Sequence, residues 1–332
     1  MTALRPLTEI FELHNAERSA DGDIKLFLKT RLANIAKVRS HRGPRECWPS
    51  PCDLGILCDK AAGLFIYAST VVRFVESMDY PLAERLALIT SLPQSAVEEG
   101  KLGLDILYSR VLEQGFRSLL PDNNEFHSSF RSVVGAALLA FNPLPMKALS
   151  SLLRVSGIST MLRSLRPLLL VPNSEADSIR VFHKSFFDFL TDPRRCRDER
   201  FFINPPTHRR EILLSCLNVM KDGLRKNICD LEDYVSLDKN EDLPTRSKTK
   251  IRDTLGYACR FWAKHLAEIP NSGHGVEEVH EAIDEFFTAR LLFRIETLTA
   301  MESLDVALHA INDVRQWYIS ASREHLIRKG SS

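Results

Sequence analysis

Only two short runs of this chain, Leu168 to Val171 and Ile179 to Phe182, read as β, while through most of the rest the apolar residues recur three and four apart. Helices must therefore supply the core, and a large sheet is excluded. Ile24, Phe27, Leu28, Leu32 and Ile35 form one stripe, backed by Lys25, Lys29, Arg31 and Lys37. Leu104, Leu107, Val111, Leu112 and Phe116 form another. The clearest is Ile251, Leu255, Ala258, Trp262 and Leu266. Glycine is sparse, 14 in 332 residues, which leaves little material for phosphate-cradling loops.

Punctuation along the chain divides these stripes. Asp21 reads as the cap of the first helix. Ser50-Pro51-Cys52-Asp53 is a strong helix start, with Ser at N-cap, Pro at N1 and an acid at N3. Gly63 interrupts the stripe that follows, marking either a break or a close helix contact. A helix is expected over Pro81 to Ser91, then a polar linker from Pro93 to Gly100. Three short helices, Phe130 to Phe141, Pro145 to Val155 and Ile158 to Arg166, precede the two β runs and a helix from His183 to Leu190. That is the order of a winged-helix domain. A linker at 192–206 leads to helical segments near 207–224, 250–268, 276–298 and 301–318, with a loop from Leu237 to Lys250. The fold class expected is mainly α: a helical bundle domain over 21–100, a winged-helix domain with a small β-hairpin over 101–203, and a C-terminal helical domain over 204–332.

Composition narrows the function. Lys plus Arg is 44 against 43 for Asp plus Glu, a net charge of +1, so a global electrostatic role on nucleic acid or anionic lipid is not expected. The longest uncharged stretches, Ala61 to Val72 and Val133 to Met146, fall short of the roughly 18 to 20 apolar residues of a membrane span. Cysteines stand at 47, 52, 58, 196, 216, 229 and 259, an odd count with no secretory signal ahead of them, so a reduced, cytoplasmic protein is expected. Cys47, Cys52 and Cys58, with His41 upstream, lack the paired spacing of structural zinc sites, and no metal is expected.

Catalytic signatures are missing. Around Gly100-Lys101 the phosphate-loop pattern fails, because Leu102 follows the lysine and Ser95 stands where the first glycine is required. There is no G-x-S-x-G and no H-E-x-x-H. His183, Ser185 and Asp188 share one helix at offsets that put them on different sides. No catalytic residue is assigned and the chain is not expected to be an enzyme. The basic clusters Arg194 to Arg200 and Arg246 to Arg252 read as solvated linkers. Arg163 and Arg166 on the third short helix keep a DNA-binding winged helix open as an alternative, although Met161, Leu162 and Leu165 beside them look like core.

The runs Lys60 to Phe74, Phe182 to Pro193, Leu217 to Leu231 and Leu291 to Tyr318 resemble the large fungal NACHT proteins, signal-transduction NTPases of the STAND class. The resemblance implies an order of NTPase core, small helical domain, winged helix and helical arm, often followed by repeats. It makes 1–20 the remnant of a NACHT core, 21–100 the small helical lid, and 204–332 the arm. Gly63-Leu64-Phe65-Ile66 matches the family's GLPL word, with Phe65 in place of the proline that packs near adenine. His183 matches the histidine of the MHD word, which binds the ADP phosphate, with Lys184 in place of the acid. By resemblance alone, then, Gly63 and His183 are the candidate cofactor-binding residues. Without a phosphate loop no cofactor is expected. The function implied is a non-catalytic regulatory module partnered by full-length relatives or by itself. The alternative is an NTPase switch subunit completed in trans by a separate core.

Overall fold

The computed structural model describes residues 17–39, 48–77, 81–92, 100–116, 124–231 and 242–330. Among these lie fifteen helices and one two-stranded sheet, so the chain is mainly helical as expected. It divides into two compact units, Met1–Pro121 with Ser164–Leu168, and Asp122–Arg163 with Leu169–Ser332.

The first unit holds α1 (Glu17–Arg39), α2 (Pro51–Ala61), α3 (Phe65–Glu76), α4 (Leu82–Thr90) and α5 (Gly100–Phe116). On α1, Ile24, Leu28, Leu32 and Ile35 are buried. Asp21 is not its cap: the helix begins at Glu17 and runs through Asp21, because Glu, Arg and Ala ahead of it favour helix and carry the ladder backwards. α2 starts where expected. The Ser50 hydroxyl accepts from the Asp53 N–H at 3.1 Å and donates to Asp53 Oδ2 at 2.7 Å. The short aspartate thus reaches the cap hydroxyl.

Gly63 marks a break. Ala62 and Gly63 both take left-handed backbone, φ 45° and 76°, and separate α2 from α3. A Cβ at Gly63 would meet nothing within 4 Å, so the position needs glycine for its conformation and not for a close contact. α5 buries Leu104, Leu107, Val111, Leu112 and Phe116 against α2, α3 and α4. It belongs to the first unit, and the 100/101 junction lies within its first turn.

Buried or half-buried cations, among them Lys60, Arg85 and Arg73, tie this unit together through backbone carbonyls. The Lys60 ammonium, 6% exposed, donates to the carbonyls of Ile89, Thr90 and Leu92 at 3.0, 2.9 and 2.6 Å. It closes the C-terminal end of α4, where unpaired carbonyls and the helix dipole both favour a cation. Arg85 donates to the Phe74 carbonyl, and its guanidinium lies 4.8 Å from the Phe74 ring centre. Arg73 Nε donates to the Pro167 carbonyl at 3.1 Å, and the same side chain also bonds the Arg166 carbonyl.

The second unit opens with α6 (Asn124–Leu139), α7 (Met146–Leu153), α8 (Ile158–Ser164), β1 (Leu169–Leu170), β2 (Arg180–Val181) and α9 (Lys184–Thr191). The expected hairpin forms, antiparallel, with Leu169 opposite Val181 and Leu170 opposite Arg180. Its loop folds back so that the Glu175 and Asp177 carbonyls accept from Lys147 and Met146 N–H at 3.1 and 3.3 Å, pairing first-turn amides of α7. The stretch 192–206 is not a solvated linker. Cys196, Phe201 and Ile203 are buried, and Ile203 N–H donates to the Leu190 carbonyl at 2.9 Å. Its arginines sit at the surface in local pairs, Arg194 with Asp192 and Arg200 with Asp198, while those apolar residues turn inward.

Then come α10 (Pro205–Gly223), α11 (Leu243–Lys250), α12 (Asp253–Ala267), α13 (Val276–Ala289), α14 (Leu291–Ala300) and α15 (Asp305–Gly330). α10 and α12 form the core pair, burying Ile212, Leu213 and Cys216 on one side and Ala258, Cys259 and Trp262 on the other. Two expectations fail here. Residues 243–250, expected as loop, are helical; Asp242-Leu243-Pro244 starts the helix, but only Leu243 and Ser247 are buried, so no apolar stripe announces it. The single helix expected over 276–298 is two. Arg290 breaks it at φ −129°, ψ −12°, and its Nε donates to the Lys221 carbonyl at 3.1 Å.

Candidate functional site

The second unit carries an open cleft of about 530 Å³. Residues 142–145, the last turn of α11, the first turns of α12 and residues 300–302 enclose it. The basic run 246–252 builds one wall, and the last turns of α11 with the extended step into α12 divide its charges between two directions. Arg246 and Lys250, four apart, both turn to Asp230. Arg246 donates to its carbonyl at 2.8 Å, and Lys250 Nζ lies 2.7 Å from Oδ2, with Arg225 at 2.7 Å from Oδ1. Hydrogen bonds from Lys250 and Arg225 hold the Asp230 carboxyl down at about 2. Lys248 and Arg252 line the cleft instead, joined by Arg260 from the second turn of α12. Among the described residues none of these three has a carboxylate within 4 Å. The basic cluster is therefore half structural and half cleft wall, where a solvated linker was expected.

Arg260 is held in place. Its Nε donates to Ser303 Oγ at 3.4 Å, and Ser303 Oγ donates to the Met301 carbonyl at 3.0 Å. Asp253 and Glu302 also line the cleft, and Tyr257, Phe261 and Met301 give it an apolar side. Behind that side the Tyr257 hydroxyl lies 2.7 Å from His265 Nε2. His265 is fully buried, and the Phe141 ring stands 4.8 Å away. Burial pushes the His265 imidazole down to about 3, the Arg209 guanidinium adding to the effect, while burial raises the Tyr257 phenol. Both groups stay neutral across the physiological range.

Gly63 lies at the α2–α3 break in the first unit, and His183 at the start of α9 in the second. His183 is the N-cap of α9: its Nδ1 accepts from the Ser185 N–H at 3.2 Å. Nδ1 also lies 2.7 Å from Ser185 Oγ, so these two side chains do meet, contrary to the expectation from helical offsets. The reason is local: His183 precedes the helix in extended backbone, φ −153° and ψ 144°, which swings its ring over the first turn. Asp188 makes no hydrogen bond to either. A ligand role for Gly63 or His183 has the resemblance alone behind it. Among the described residues no group of three or more potential ligands could hold a metal. His41 and Cys47 lie outside those residues.

Sequence reasoning missed the buried cations. Lys60 gave no signal, since its carbonyl partners are 29 to 32 residues away. Arg294 did give one, standing four residues before buried Leu298 in an apolar stripe. It is 1% exposed, with Nε donating to the Cys259 carbonyl at 3.0 Å and the guanidinium 5.7 Å from the Trp262 ring centre. Burial lowers it to about 10. Among the described residues no helix is long and apolar enough to cross a membrane. No family model matches this chain, and no curated protein or solved structure does either.

Proposed function

We propose that this chain is a non-catalytic interaction module of a NACHT-type STAND signalling system, cytoplasmic, and that its partner is a second copy of itself. The observation that carries the reading is one face of α15. Leu308 and Ile311 are 72% and 48% exposed, and their spacing of three puts them on a single stripe, with Leu304, 49% exposed, just ahead of the helix. The neighbouring face, Ala307, Ala310, Val314 and Trp317, is buried. Arg315, four residues past Ile311, continues the exposed stripe. Two such helices paired antiparallel set Leu308 of one copy against Ile311 of the other. That is a self-complementary arrangement, as two-fold pairing requires.

The interior favours a scaffold over an enzyme. Lys60, Arg85 and Arg294 bond backbone carbonyls, and the Tyr257–His265 pair stays neutral. The order α6, α7, α8, hairpin, α9 supports reading residues 124–191 as a winged helix, with α10 to α15 as the arm. Light scattering over a concentration series tests the proposal. The expected result is a reversible dimer that Leu308→Glu converts to monomer without loss of helix content. A wild-type chain that stays monomeric throughout the series would sink the reading.

A further inference from the structure

We propose that the cleft of the second unit binds a small organic phosphate, its anionic group held by Arg260, Arg252 and Lys248 and its body against Tyr257, Phe261 and Met301. The inference goes beyond the interaction reading and does not depend on it.

Volume comes first. About 530 Å³ falls within the range of small-molecule sites. Charge selects the ligand. Three cations line the cleft against two carboxylates, and no cation is paired with either one. An additional carboxylate from a ligand would match the one uncompensated charge and no more. A phosphate dianion can engage the guanidinium forks and the ammonium together, as planar, multidentate recognition requires. Preorganisation comes next. Nε of Arg260 is tied to Ser303, itself bonded to the Met301 carbonyl, so the guanidinium is held with its terminal NH₂ groups unbonded among the described residues. Gly256, one turn earlier, leaves room beside it: a Cβ there would stand 3.7 Å from an Arg260 terminal nitrogen and 3.4 Å from Met301 Cε. The N-terminal end of α12 is not counted as a contributor, because Asp253 in its first turn already offsets that partial charge.

The test is calorimetric titration of the full chain with phenyl phosphate at low salt, with inorganic phosphate and benzoate as parallel arms. The expected result is saturable binding of phenyl phosphate, tighter than either arm by about tenfold. Arg260→Gln and Arg252→Gln should each weaken it by at least about tenfold, as loss of a charge-assisted contact does. Arg252 is on the exposed rim, so its variant separates binding from folding if Arg260→Gln proves unstable. Three results would each overturn the proposal: no saturable heat with the wild type, unchanged binding in both variants, or inorganic phosphate binding as tightly as phenyl phosphate. Light scattering on the same samples reads the dimer separately, so failure of one idea is distinguishable from failure of the other.

Discussion

The Lys60 ammonium lies 2.6 Å from the carbonyl oxygen of Leu92, just beyond the last turn of α4. With the Ile89 and Thr90 carbonyls it makes three charge-assisted hydrogen bonds out of water. Lys60→Met removes the charged donor from the Ile89, Thr90 and Leu92 carbonyls, of which Ile89 keeps the Leu92 N–H at 3.2 Å. The expected cost is about 2–4 kcal/mol in urea unfolding. Lys60→Arg should recover part of it, since a planar fork cannot converge on three carbonyls as an ammonium does. A loss below about 0.5 kcal/mol for Lys60→Met, the range of an ordinary surface change, would show that water replaces the lysine.

Two helical glycines should respond in opposite directions. A Cβ at Gly135 would stand 2.7 Å from His208 Cδ2, and His208 is buried with Nδ1 2.9 Å from the Asn204 carbonyl. Gly135→Ala should cost about 1–3 kcal/mol by overpacking. At Gly256 the nearest atoms are at ordinary contact distance, so Gly256→Ala should stabilise by up to about 1 kcal/mol through helix propensity and unfolded-chain entropy. Thermal and urea unfolding of the two variants checks both signs, and two variants of the same sign would show that the packing at one of these glycines is not as described.

His265 sets an acid limit. Its folded value of about 3 lies below the ordinary 6.5, so the unfolded chain takes up a proton below pH 6.5 and the folded chain does not until about 3. The stability this group contributes is complete above pH 6.5 and is lost as pH falls through that window, by up to about 1.4 kcal/mol per pH unit. His265→Gln cannot titrate there. The stability difference between wild type and variant should therefore shrink between pH 7 and pH 4.5. A difference that stays constant over that range would assign acid sensitivity to other groups.

Features that depend on near neighbours were legible. Ser50 caps α2 and His183 begins α9, because a cap is decided within three residues of the helix start. The stripe from Ile251 to Leu266 is buried as its period requires. The short hairpin follows from two β runs and a polar turn. α11 was not legible, because a helix with only Leu243 and Ser247 buried carries almost no period. The Arg290 break has no glycine or proline to announce it and depends on the Lys221 carbonyl, 69 residues back along the chain.

By itself, then, the sequence determined the helical class, several helix starts and the position of the hairpin, all properties of periodicity and capping within a turn or two, while α6 begins at Asn124, six residues ahead of the expected Phe130. Only the tertiary structure decided which cations are buried and which stay unpaired. Arg246 and Lys250 serve Asp230, while Lys248 and Arg252, interleaved with them, join Arg260 along the cleft. The residue types at those positions are the same. What separates them is the direction of each Cα–Cβ bond around α11 for Arg246, Lys248 and Lys250, the extended turn into α12 for Arg252, and the segment packed on each side, which no local rule encodes.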